Sequence, residues 1–139
     1  MILLDTNVIS ESLRPAPEAR VVQWIDVQSL ETLYLSAITV AELRAGVARQ
    51  PAGARRDTLH ESIEKRVLPH FIGRILPFDL AATHAYADLM ARTRAAGFSI
   101  GTADAFIAAI AAAQGLIVAT RDTRPFEAAA LTVINPWLS

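Results

Sequence analysis

The sequence contains no cysteine. That excludes disulfides, a thiol nucleophile and a Cys-ligated zinc site. No apolar run is long enough to span a bilayer, and even the Ala-rich stretch 103–113 is short and carries an acid. The N-terminal apolar run is also short and has no basic region before it, so it does not read as a signal peptide, and a cytoplasmic protein is expected. Lysine is nearly absent, with twelve arginines against the single Lys65. Selection for bidentate phosphate or carboxylate contacts would produce that bias, and so would GC-rich coding. The glycine-rich loop of a P-loop nucleotide site is missing. Ser10, Ser36 and Ser99 have no base at a suggestive spacing, which argues against a Ser/His hydrolase.

The composition that remains is 53% hydrophobic and 19% charged, that of a compact globular chain. At 139 residues a single domain spanning 1–139 is expected. The formal net charge is −1, so any contact with nucleic acid must come from a local patch.

Ile2-Leu3-Leu4 ends in Asp5, Thr6 and Asn7. A continuous apolar run with polar ends reads as a buried central strand of a parallel sheet. Further strands are expected at 33–35, 74–78, 116–119 and 131–134. Helices are expected over 7–13, 18–30, 40–49 (with Thr39 as N-cap and Glu42 at capping-box spacing), 58–69, 80–96 and 103–114, with a short one near Phe126. Residues 50–58 read as a loop tip. Strands alternating with helices through short connections predict an α/β fold, a three-layer α/β/α sandwich around a mostly parallel five-stranded sheet.

Ten of the fourteen acids fall on polar helix faces or in loops and are expected to be solvated. Asp5, Glu42, Asp104 and Asp122 instead have apolar neighbours. In the expected sheet all four lie on its carboxyl edge, where open α/β sheets build their sites. Each has a structural alternative: Asp5 or Asp104 as helix-terminus acids, Glu42 as a capping-box partner, Asp122 as a turn residue. Together they repel and raise one another's pKa unless a cation neutralises them. An all-oxygen donor set points to Mg²⁺ or Mn²⁺, and such an ion serves hydrolysis of phosphodiesters. His60, His70 and His84 lie on or beside expected helices, remote in sequence from these acids, and read as surface or core residues.

Leu4-Asp5-Thr6-Asn7-Val8, Ala41-Glu42-Leu43, Ala103-Asp104-Ala105-Phe106-Ile107-Ala108-Ala109 and Ala119-Thr120-Arg121-Asp122 resemble the successive motifs of PIN-domain proteins. Within that superfamily the chain is similar to VapC-type toxins of toxin–antitoxin pairs. Segments 3–13, 34–43, 73–79 and Asn135-Pro136-Trp137 bring it near the FitB branch. The resemblance implies a Mg²⁺- or Mn²⁺-dependent endoribonuclease with Asp5, Glu42, Asp104 and Asp122 as its acidic quartet. Of these, Asp5, Asp104 and Asp122 hold the metal, and Glu42 binds a second ion or orients the attacking water. Thr6, Asn7 and Thr120 match the supporting polar residues. It also implies a homodimer and a small DNA-binding antitoxin whose C-terminal segment covers the site and through which the complex represses its operon. Pro125 departs from the polar residue many relatives carry there. Arg121 and Arg124 adjoin the site and either receive the RNA strand or pair with Asp122 or Glu127.

Three other readings compete. An aspartyl-phosphate enzyme or a receiver domain also places an Asp after the first strand; the haloacid-type phosphatase wants a second Asp where Asn7 stands, and both need a lysine that only Lys65 could supply. A catalytically silent PIN-fold partner would bind antitoxin and act only in operon repression. A nuclease acting on DNA would use the same acids.

Overall fold

The computed structural model describes all 139 residues. The chain runs β1 (Ile2–Leu4), α1 (Thr6–Ser12), α2 (Ala19–Asp26), β2 (Leu33–Ser36), α3 (Ala37–Ala48), α4 (Ala54–Glu61), β3 (Ile75–Leu76), α5 (Leu80–Ala95), α6 (Thr102–Gln114), β4 (Ile117–Ala119), α7 (Arg124–Ala128) and β5 (Val133–Ile134). The strands form one five-stranded sheet in the order β3-β2-β1-β4-β5, and every pairing is parallel. The expected sheet is therefore present, and parallel throughout.

β1 is central because both its faces are apolar. Leu3 packs with α5, α6 and α7 residues, while Ile2 and Leu4 point the other way, into the cluster formed by α1 to α4. Alternation along the strand thus feeds two separate cores, the reason a parallel strand needs a continuous apolar run. On the α6 side, Ala105, Ala108, Ala109 and Ala111 are all buried, and small side chains let this helix sit close to its neighbours. Gly115 ends α6 in the left-handed region at φ +67, a conformation that costs glycine little. No helix is long and apolar enough to cross a membrane.

Several expected boundaries are corrected. The second helix covers Ala19–Asp26 and not 18–30, because its apolar stripe runs off the core: Val21 is buried, whereas Val27 and Leu30 are exposed. The N-cap of α3 is Ser36, whose hydroxyl accepts the Thr39 N–H at 3.0 Å. Thr39 is therefore inside the helix and buried, and Glu42 stands in the second turn without a capping role. Residues 54–58, expected as loop, already belong to α4, which continues through a π-turn (Ser62–Val67) into a 3₁₀ turn (Leu68–Phe71). The wider turn keeps Ile63, Leu68 and Phe71 on the core side, where an unbroken 3.6-residue repeat would rotate them away. β3 shrinks from 74–78 to two residues, since Pro77 has no N–H to give a ladder.

Candidate functional site

The sheet order reverses between β1 and β4, and there the carboxyl ends of two adjacent strands open a crevice. Asp5 directly follows β1 and Thr120 directly follows β4, the two held side by side by the Asp5 N–H donating to the Ala119 carbonyl at 2.9 Å. Glu42 reaches the same edge because α3 follows β2 directly. Asp104 reaches it because a helix preceding a parallel strand runs antiparallel to it, so the first turn of α6 lies at the carboxyl end. Phe106 helps hold that turn, stacking on Tyr86 at 5.3 Å and meeting Phe78 edge-on at 4.9 Å.

Asp5 is only 5% exposed. Its Oδ1 accepts the Thr6 N–H at 2.8 Å, so it caps α1. Its Oδ2 accepts the Thr120 hydroxyl at 2.8 Å and, at longer range, the Asn7 amide at 3.4 Å. Burial pushes its pKa up to about 6, with the charges of Asp104 and Glu42 adding, and the Thr120 and Thr6 hydrogen bonds holding it back. Asp104, half-buried, is also raised, first by burial and then by Asp122 and Glu42. These mutual repulsions show the four acids sharing one field. None of them forms an ion pair with a basic side chain.

The expectation that all four have apolar surroundings holds for Asp5 and in part for Asp104; Glu42 and Asp122 are exposed. As the side chains stand, no three acids share a point from which they could hold an ion. Asp5 is fixed by its hydrogen bonds, Glu42 is exposed but held through one oxygen by Thr6, and Asp122 is exposed. The donor set fits a hard divalent cation: carboxylate oxygens only, uncompensated by any neighbouring cation.

Thr6, Asn7 and Thr120 stand where the quartet needs support. The Thr6 hydroxyl donates to Glu42 Oε1 at 2.6 Å and lies 3.0 Å from the Thr39 hydroxyl. Asn7 joins α1 to the loop after β4, accepting the Arg121 N–H at 3.2 Å and placing its amide 3.3 Å from the Thr120 hydroxyl. The Thr120 hydroxyl also accepts the Asp122 N–H at 3.1 Å, so one oxygen positions two of the acids. No buried side-chain nitrogen or oxygen is left without a partner.

Of the two roles expected for Arg121 and Arg124, the ion pairing is absent. Neither pairs with Asp122 or Glu127. Arg121 lays its guanidinium over the Trp137 ring, 5.2 Å from the centroid, and is engaged there. Arg124 opens α7 and is exposed.

Glu11, grouped among the solvated acids by its sequence, is 6% exposed. Its carboxylate accepts the Glu18 N–H at 2.9 Å and pairs with Arg14 at 3.2 Å. The Glu18 hydrogen bond, opposed by burial and aided by Arg14 and Arg121, holds its pKa below the usual carboxylate range. The signals were its position three residues after the core residue Val8 and the Pro15-Ala16-Pro17 turn that folds Glu18 back. A depressed pKa contributes stability above the unfolded-state value and loses it as pH falls through the folded one. Glu11→Gln is therefore expected to lower Tm at pH 7, with the deficit shrinking in acid. A deficit independent of pH, in thermal melts of both proteins, would assign the loss to packing instead of charge.

The family model of the PIN domain matches residues 2–131. The VapC ribonuclease Y4jK of Sinorhizobium fredii is 60% identical over 137 residues, covering 99% of this chain and 98% of that protein. Toxin FitB of Neisseria gonorrhoeae is 55% identical, with 99% of both chains covered. Among solved structures, a chain of FitAB bound to a DNA fragment superposes with a TM-score of 0.95 at 53% identity, covering 99% of this chain and 96% of that one.

Proposed function

The chain belongs to the PIN-domain family, among the VapC- and FitB-type toxins, and from that premise we propose that it is a divalent-cation-dependent endoribonuclease, the toxin of a toxin–antitoxin pair. The observation that carries this reading is Asp5: a buried carboxylate beside Asp104 and Glu42, with a pKa pushed up to about 6 and no cationic side chain to relieve it. Retaining such an arrangement costs stability unless a cation binds.

Asp5, Asp104 and Asp122 would hold Mg²⁺ or Mn²⁺. When bound there, the ion supplies an acidified water and neutralises charge gathering on the phosphoryl oxygens. The remaining work falls to the chain's own residues. Thr120 and the Thr6 N–H hold Asp5 in one rotamer and keep it ionised more readily than burial alone would allow. The Thr6 hydroxyl holds Glu42 Oε1, whose carboxylate would orient a water for in-line attack on phosphorus or hold a second ion. Asn7 keeps the loop carrying Asp122 against α1. The names of the relatives support RNA as substrate, and the FitAB complex with DNA supports an antitoxin partner that carries the operator contact.

The test is to titrate Mg²⁺ and Mn²⁺ into antitoxin-free protein with a panel of structured RNAs, following cleavage by gel and ion binding by calorimetry. Asp104→Asn is expected to abolish cleavage with an unchanged circular-dichroism spectrum. Cutting that survives the substitution would remove the quartet from the mechanism. Ion binding without cutting by the parent protein would favour the silent antitoxin-binding partner.

A further inference from the structure

Four carboxylates repel an RNA strand, so its affinity must be generated beyond them. Of the two arginines next to the acids, Arg121 is engaged with Trp137. A cleft of about 740 Å³ runs from Thr6 and Glu42, at the catalytic edge, between α1, α3 and α4. Glu42 is the only acid along it, and three arginines line it: Arg14, Arg49 and Arg55. Arg14 is committed to Glu11 at 3.2 Å. Arg49 and Arg55 are exposed and make no ion pair.

Their placement is directional. The Arg49 guanidinium folds back along α3, its Nη2 3.8 Å from where a Cβ on Gly46 would stand, so it borders the cleft while staying open to solvent. Arg55 is in the first turn of α4, which also carries Asp57, and it forms no ion pair there. Gly46, one turn after Glu42 on α3, also lines the cleft.

We propose that this cleft seats the single-stranded RNA adjoining the scissile phosphate, with Arg49 and Arg55 holding its phosphates. The proposal rests on the ribonuclease reading above. Charge complementarity selects the occupant: a polyanion entering at the arginines and ending at the cation-binding acids meets favourable charge along its length, with ribose and base edges against an apolar floor of Leu13, Leu43, Leu59 and Ile63. A partner peptide on the same floor is the competing occupant.

The probe is a fluorescently labelled random-sequence RNA oligomer, bound by the full-length protein in EDTA so that nothing is cut, across a salt series. Arg49→Ala with Arg55→Ala is expected to weaken binding roughly tenfold and to reduce the slope of log affinity on log salt by about 1.4, about 0.7 for each lost single-strand phosphate contact. Arg92→Ala with Arg94→Ala removes equal charge from α5, which packs into the other core, and is expected to change neither value. Gly46→Leu, a better helix former that narrows the cleft without altering charge, is expected to weaken binding as well. If the parent binds RNA and the Arg49/Arg55 variant binds it equally, the cleft is not the RNA seat while the nuclease reading stands. If that variant keeps RNA but loses a peptide of the antitoxin's C-terminal segment, the cleft belongs to the partner and the proposal is overturned. If the parent binds no RNA in EDTA yet cuts the RNA panel once Mg²⁺ is added, the cleft is not the RNA seat and the nuclease reading stands; if it neither binds nor cuts, the nuclease reading fails and the proposal with it.

Discussion

Asp5→Asn is expected to cut cation-dependent RNA cleavage by at least about 100-fold and, at the same time, to make the cation-free protein more stable at neutral pH. The first effect follows from removing the only fully buried acid of the quartet, the one whose position is set by three hydrogen bonds. The second follows from linkage. Asp5 titrates at about 6 in the folded protein against 3.8 for an ordinary aspartate. The native state therefore binds this proton more tightly than the unfolded state does, and stability declines as pH rises from about 4 through 6. The full difference is at most about 3 kcal/mol, at 1.36 kcal/mol per pKa unit. An asparagine carries no charge, so the variant is exempt from that decline.

Thermal melts of parent and variant in EDTA between pH 4 and pH 8 read this directly. The gap in Tm should open in the variant's favour as pH rises. A gap that stays constant would mean that Asp5 is not held at a raised pKa by its surroundings. Saturating Mg²⁺ or Mn²⁺ should then reverse the order, since a ligand that binds only the native state raises its stability. Failure of either ion to stabilise the parent would remove the cation from the site.

Thr120→Val is expected to cost about 2–3 kcal/mol and to remove most activity. Thr120 is completely buried. Valine matches its shape but strips the hydroxyl that donates to Asp5 Oδ2 and accepts the Asp122 N–H. That leaves a buried carboxylate oxygen short of a donor, and frees the backbone of Asp122. The Thr120 hydrogen bond is also the largest influence holding the Asp5 pKa down. The residual activity of the variant should accordingly rise only at higher pH. Thr120→Ser restores the hydroxyl and should recover the pH profile with a smaller stability loss. Chemical denaturation and a pH series of cleavage rates decide it; a valine variant with parental rates would show that the hydroxyl does not position the acids.

The parts of this fold that were legible in the sequence are those where one local interaction dominates. Ile2-Leu3-Leu4 can be satisfied only with both faces covered, and it became the central strand between two cores. Gly115 and Gly97 closed α6 and α5 at the expected positions because both take positive φ, which few other residues accept cheaply. The placement of Asp5, Glu42, Asp104 and Asp122 on one edge was legible because each lies near a strand's carboxyl end or the start of a helix, and parallel topology gathers those ends. The Ser36 cap was not: Ser36 and Thr39 are both good capping residues three positions apart, and the choice went to the one at the end of β2. The π-turn after α4 answers the curvature of the core, which no local periodicity records.

What the amino-acid sequence determined by itself is the parallel architecture and the identity of the residues at its carboxyl edge, because strand burial and helix capping are short-range demands. Only the tertiary structure decided how those residues differ. Asp5 became the buried, elevated acid and Glu42 and Asp122 the exposed ones, since burial depends on what other elements cover. Glu11 went inside because a proline turn returned an N–H to it, and Arg121 turned to Trp137 because the chain's last segment passes beside it. The Asp5–Thr120 contact joins residues 115 positions apart, and its energy arises only after the sheet has brought both strand ends together.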